Sequence, residues 1–143
     1  MIVTCVNAAP GSCPLTAGRR YTVYGVGIRK LDPATYRTHS EATYLIVADN
    51  GRPGFCDASR FEVTESTFPS GWGFRYFGHI PYEDAQRATD TPEYEGAAEG
   101  MIGYPELIGN SSHYIGIELR DERDLRIFEK RRREIDAAPA CAK

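Results

Sequence analysis

Apolar positions in the first half of the chain come in short runs that alternate with polar ones, and each run ends at Gly, Pro, Asn or Asp. That rhythm predicts an antiparallel β unit, since alternation marks a half-buried strand and the punctuating residues are turn formers. A first strand is expected over Met1 to Val6. After the loop AAPGSCPLTAGRR, the run Arg20 to Ile28 sets Tyr21, Val23 and Gly25 on one side and Thr22, Tyr24 and Val26 on the other. A polar loop follows from Arg29 to Glu41. The stretch YLIVADNGRPGFCDASRF, Tyr44 to Phe61, then reads as a hairpin. Asn50-Gly51 supplies its turn, because a tight primed turn needs positive φ, which Asn and Gly tolerate best. Pro53, lacking an amide hydrogen, is expected at a strand start or on an edge. Asp57-Ala58-Ser59-Arg60 reads as a one-turn helical link into a last short strand, Phe61 to Val63.

The pattern weakens from Thr64 to Asn110, where SGWGF and GHIPY are punctuated by glycine and proline. Tyr82 to Ala88 is a helical candidate. Thr91 to Leu107 is another, opening at Thr91-Pro92, although Gly96, Gly100 and Gly103 count against a long helix. His113 to Leu119 alternates again and is expected as a further strand. Asp121 to Ala137 is the best helix by pattern: Leu125, Phe128 and Ile135 share a face, and Lys130 to Arg133 lie near the end where the backbone dipole favours cations. Residues 138–143 read as a frayed tail.

The 143 residues suit one domain, divided as 1–63, 64–110, 111–137 and 138–143, with a hydrophobic content of 41% that is ordinary for a folded chain. The longest apolar run falls far short of a membrane span, and MIVTCVNAAPG has no basic leader, so a cytoplasmic protein is expected. Cys5, Cys13, Cys56 and Cys141 are widely spaced, with no Cys-x-x-Cys pair; this predicts reduced, structural thiols and no metal centre. Charge is uneven. Residues 79–110 hold 7 acidic side chains against the lone Arg87, while the flanking segments are nearly balanced. Such a block repels phosphates and attracts a basic partner.

LTAGRRYTVYGV, Leu15 to Val26, followed by YLIVADNGRPGFCDASRFEV, Tyr44 to Val63, resembles the small SH3-like barrels of many bacterial and phage proteins. The resemblance covers the first 45% or so of the chain. It implies an α+β fold: a five-stranded SH3-like antiparallel β-barrel extended by an additional strand and a C-terminal α-helix. HYIGIELRDERDLRIFEKRR is similar to the closing strand and helix of some bacterial immunity proteins, which neutralise toxins.

No Walker loop, nucleophile elbow or dinucleotide fingerprint is present, and no cofactor is expected. Cys56 with His79 or His113 could form a thiolate–imidazole pair, but a cysteine within a strand is more simply a buried hydrophobe. Glu83 with Asp84, or Glu93 with Glu95, read as solvated acids before they read as an acid–base pair. Trp72 closes a small core or anchors a partner. The cations Arg131 to Arg133 interleave with acids and read as a solvated helix. The leading expectation is a non-enzymatic immunity protein that binds a basic toxin. Its contacts would be Trp72, Tyr82, Asp84, Asp90, Glu93, Tyr94, Glu95, Glu99 and Glu106. The alternative is a nucleic-acid-associated barrel using Arg19, Arg20, Arg29, Lys30, Arg60 and Arg75.

Overall fold

The computed structural model describes residues 1–11, 13–28, 42–76, 100–109 and 111–138. Within them the strands are β1 (Ile2–Cys5), β2 (Arg20–Thr22), β3 (Gly25–Ile28), β4 (Ala42–Val47), β5 (Pro53–Asp57), β6 (Phe61–Glu65), β7 (Gly73–Tyr76) and β8 (Gly100–Gly103). A 3-10 turn, Ala58–Arg60, joins β5 to β6, and three helices follow β8: α1 (Pro105–Gly109), α2 (Ser111–Glu118) and α3 (Glu122–Ala137). The strands form two antiparallel sheets, ordered β2-β1-β6 and β5-β4-β3-β8-β7. The α+β class therefore holds, but among the described residues neither sheet closes on itself. The physical reason is local: β8 pairs along the full length of β3 and β7 pairs with β8, which prolongs the larger sheet sideways.

The larger sheet is the middle of three layers. Along β4, Ala42, Tyr44 and Ile46 pack toward the smaller sheet, with Val3, Cys5, Tyr21, Val23 and Phe61. Leu45 and Val47 pack the other way, with Tyr114, Ile115, Ile117 and Phe128 of the helices. Burial on both faces is why Tyr44 to Val47 is continuously apolar.

Three glycines let the helices approach. Gly25, Gly103 and Gly73 are register partners on β3, β8 and β7. A Cβ on Gly103 would stand 2.6 Å from Leu107 Cδ2, one on Gly73 2.7 Å from Ile108 Cδ1, and one on Gly25 would also collide with Leu107. This glycine row is the bed on which α1 lies. Gly116 does the same between helices, since a Cβ there would overlap the Asp124 side chain.

Several sequence expectations are met. Asp57 to Arg60 is the helical link, a 3-10 turn capped by Asp57 accepting from Ser59 N–H; Pro53 opens the edge strand β5; and the helix expected over Asp121 to Ala137 is α3, for which Asp121 is the N-cap, accepting from the amides of Arg123 and Asp124. Others are corrected. Arg20 to Ile28 is two strands in different sheets, with Val23 and Tyr24 between them. His113 to Leu119 is not a strand: its residues fall almost wholly in α2, where His113 to Ile117 are all buried, so alternation there carried no information. Of the expected Thr91–Leu107 helix, the described part begins at Gly100: Gly100–Gly103 is a strand and Pro105 to Leu107 is helical. The hairpin turn is also different. Asp49, Asn50 and Gly51 form a three-residue loop closed by Ala48 N–H to Arg52 O, and Gly51 alone takes positive φ, at 75°.

Cys13 and Cys56 form a disulfide, which corrects the expectation of reduced thiols. Two contacts bring the Cys13 loop against the hairpin: Asp49 N–H donates to Pro14 O at 3.0 Å and Arg60 Nη1 donates to Cys13 O at 3.1 Å. The buried Cys5 is free. No helix among the described residues is long and apolar enough to cross a membrane. Tyr82 to Ala88, Thr91 to Glu99, Arg29 to Glu41 and Cys141 lie outside the described residues.

Candidate functional site

The most unusual surface is at β7, the edge of the larger sheet. Phe74 and Tyr76 alternate with Gly73 and Arg75 and are 60% and 64% exposed, and Phe68, 43% exposed, stacks on Trp72 with ring centroids 5.4 Å apart. Arg75 points to the helix layer, where its Nη1 donates to the carbonyls of Ile108 and Gly109 and so closes the C-terminal end of α1. Trp72 itself packs against both cores. Its indole N–H is buried without a hydrogen-bond partner among the described residues.

The opposite edge of the same sheet is blocked. Pro53 offers no amide, Glu118 accepts from Phe55 N–H at 3.1 Å, and Arg120 donates to Pro53 O. Main-chain groups that would recruit another strand are thus occupied by side chains from the end of α2. Strand β7 carries aromatic side chains where β5 carries such blocks.

A second polar cluster ties the helices together. Asp124 Oδ1 lies 2.7 Å from His113 Nδ1, and His113 Nε2 lies 2.9 Å from the Tyr104 hydroxyl. The carboxylate can only accept, so Nδ1 carries the hydrogen and donates to Asp124. Burial, reinforced by the Glu106 charge, holds the Tyr104 hydroxyl well above its usual range. Histidine and tyrosine are 4% and 3% exposed, so this acid–imidazole–hydroxyl chain has no open face for a substrate and serves as a strut from the β8 end across α2 to α3.

Of the acids expected to meet a partner, Glu106 alone is among the described residues. Arg131 grips it through two hydrogen bonds, 2.7 and 2.6 Å, which lower its carboxyl below the usual range. Tyr82, Asp84, Asp90, Glu93, Tyr94, Glu95 and Glu99 lie outside the described residues. Four of the six cations proposed for nucleic acid have internal partners: Arg19 on Asp49, Arg20 on Glu65, Arg60 on the carbonyls of Asn7, Ala9 and Cys13, and Arg75 on α1. Arg29 and Lys30 lie outside the described residues. Along α3, Arg131, Arg132 and Arg133 pair with Glu129, Glu134 and Asp136, as a solvated helix requires. Cys56 is in the disulfide and 2% exposed, so it offers no thiolate, and His113 turns to Asp124 and Tyr104. Among the described residues no cluster of His, Cys, Asp and Glu has metal-binding geometry.

Phe68, Phe74 and Tyr76 were legible only in part. Their signal is the spacing of Phe74 and Tyr76 at i and i+2, which flanking glycines disguise as loop. No family model matches the chain, and no curated protein or solved structure does.

Proposed function

We propose that this chain is a non-enzymatic protein-binding module whose partner is a basic protein, and that its biological form is an immunity protein neutralising a toxin domain. The observation that carries the reading is the exposure of Phe74 and Tyr76 on a regular edge strand beside the Phe68–Trp72 stack. Large aromatic side chains held open on a rigid element are costly for solubility and well suited to anchoring a partner. Charge supplies the partner's sign. The sequence after β7 carries Glu83, Asp84, Asp90, Glu93, Glu95 and Glu99 against Arg87, which speeds encounter with a basic surface. In a nuclease toxin, that surface is the one built for phosphate.

The scaffold reading is an SH3-like unit over residues 1–65, opened by the addition of β7 and β8. Its support is the path of β1 to β6, in which the chain passes between sheets at Val23–Tyr24 and returns through the 3-10 turn.

The test is co-purification with the product of the adjacent gene at low and raised salt. A complex that weakens with salt and is lost in the double variant Phe74→Ser/Tyr76→Ser is expected. Absence of a complex at low salt, or one indifferent to both substitutions, would sink the reading. A salt-sensitive shift of DNA or RNA by the chain would favour the nucleic-acid alternative instead.

A further inference from the structure

Between the tip of the β4–β5 hairpin and one flank of α3 lies a groove of about 740 Å³ that plays no part in the β7 surface. Its apolar lining is Leu125, Phe128 and Pro53, and arginines come from three separate segments: Arg52 from the hairpin tip, Arg120 from the α2–α3 corner and Arg126 from α3. The α3 contribution follows helical spacing, with Glu122, Leu125, Arg126 and Glu129 on one stripe.

The charges on this stripe are unevenly committed. Glu129 already faces Arg132 and Arg133 at 3.4 and 3.5 Å. Glu122 and Arg126 are 3.9 Å apart and both largely exposed, a separation at which an ion pair contributes little. Arg52 makes no ion pair with any described residue, in contrast to Arg19, Arg20 and Arg131.

Arg120 adds a second kind of observation. It ends α2 with φ 64°, the one described non-glycine residue at positive φ, while its N–H donates to Ile117 O and the following Asp121 N–H to Gly116 O. This helix ending takes glycine by preference, because a Cβ there is strained. An arginine at that position trades backbone ease for a guanidinium at the groove, where it also reaches Pro53 O.

We infer that this groove binds a small amphipathic anion: an acidic head, carboxylate or sulfonate, engaged by Arg52 and Arg126, and an aryl or short acyl body laid on Leu125 and Pro53, over the buried Phe128. The volume is of the size that holds such ligands, and arginines from three segments beside an apolar strip suit a ligand that is anionic at one end and apolar at the other.

The probe is 8-anilino-1-naphthalenesulfonate, added to the whole chain and followed by fluorescence and by amide chemical shifts. The uncharged N-phenyl-1-naphthylamine serves as the comparison. The expected result is saturable binding of one sulfonate per chain, with shifts at Gly51 to Pro53 and Arg120 to Glu129. The double variant Arg52→Glu/Arg126→Glu, with its circular dichroism unchanged, should weaken it about tenfold, the loss of charge-assisted hydrogen bonds. Phe74→Ser/Tyr76→Ser should leave it unaltered, which separates this site from the partner surface. Three results would each overturn the assignment: no saturable binding up to millimolar probe, equal affinity for the uncharged probe, or shifts confined to Phe68–Tyr76.

Discussion

At the scale of single residues, chemistry that looks available in the sequence is often already engaged. Glu106 is one of seven acids in the 79–110 block, and in the fold Arg131 holds it through a bidentate pair. Its carboxyl is lowered from the usual 4.5, first by those hydrogen bonds. A lowered acid contributes stability that is fully present above the unfolded value and is lost as pH falls through the folded one. Glu106→Gln should therefore destabilise the fold at neutral pH by roughly 1 kcal/mol, the scale of a well-formed, partly exposed pair. The gap to the wild type should close well below pH 4.5. Urea titrations at both pH values check this, and a gap that persists in acid would refute it. Asp49, lowered by hydrogen bonds from Thr16 and Tyr21 and by Arg19, steepens the acid limb in both proteins. The turn role of Asp49 was legible from Asp-Asn-Gly, but its grip on Thr16, Arg19 and Tyr21 was not, because those partners lie about thirty residues away.

Among elements, what was legible is what local chemistry decides. The hairpin, its 3-10 link and α3 each carry their own signals, namely glycine, proline, caps and a single apolar face. Strands β7 and β8 and helix α1 depend on one another. Their glycines read as breakers in isolation, yet Gly73 and Gly103, with Gly25, make room for Leu107 and Ile108. Helix α2 is buried along His113 to Ile117 and has no polar face to betray its period. The disulfide was equally hidden, since pairing depends on the hairpin drawing residue 13 toward residue 56. It closes a loop of 43 residues, for which the chain-entropy argument gives about 4 kcal/mol of stabilisation. Cys56→Ala should lower the unfolding free energy by about 2–4 kcal/mol. Reductant should have no further effect on that variant through this bond. Urea titrations with and without reductant, with non-reducing peptide mapping for the 13–56 link, test both statements. Equal stability of oxidised and reduced wild type would refute them.

For the whole molecule the question is whether three layers unfold as one. Strand β4 belongs to both cores, with Ile46 facing the smaller sheet and Leu45 facing the helices, so neither core can dissolve without exposing one side of the same strand. Trp72, the single tryptophan, packs against both clusters and reports on both, whereas far-ultraviolet circular dichroism reports chiefly on the helices. Matched substitutions separate the sides: Ile46→Val trims the core between the sheets and Ile117→Val the core under the helices, both at residues 0% exposed. Each should cost about 0.5–1.5 kcal/mol. If β4 couples the layers, both variants shift the fluorescence and dichroism curves together, and the two curves coincide in every protein. If the helices unfold on their own, Ile117→Val moves the dichroism curve while Ile46→Val leaves it in place. Coincidence is the expected outcome, because strand β4 of the middle sheet has no face of its own to offer water: Leu45 and Val47 lie under the helices, and Ala42, Tyr44 and Ile46 under the other sheet.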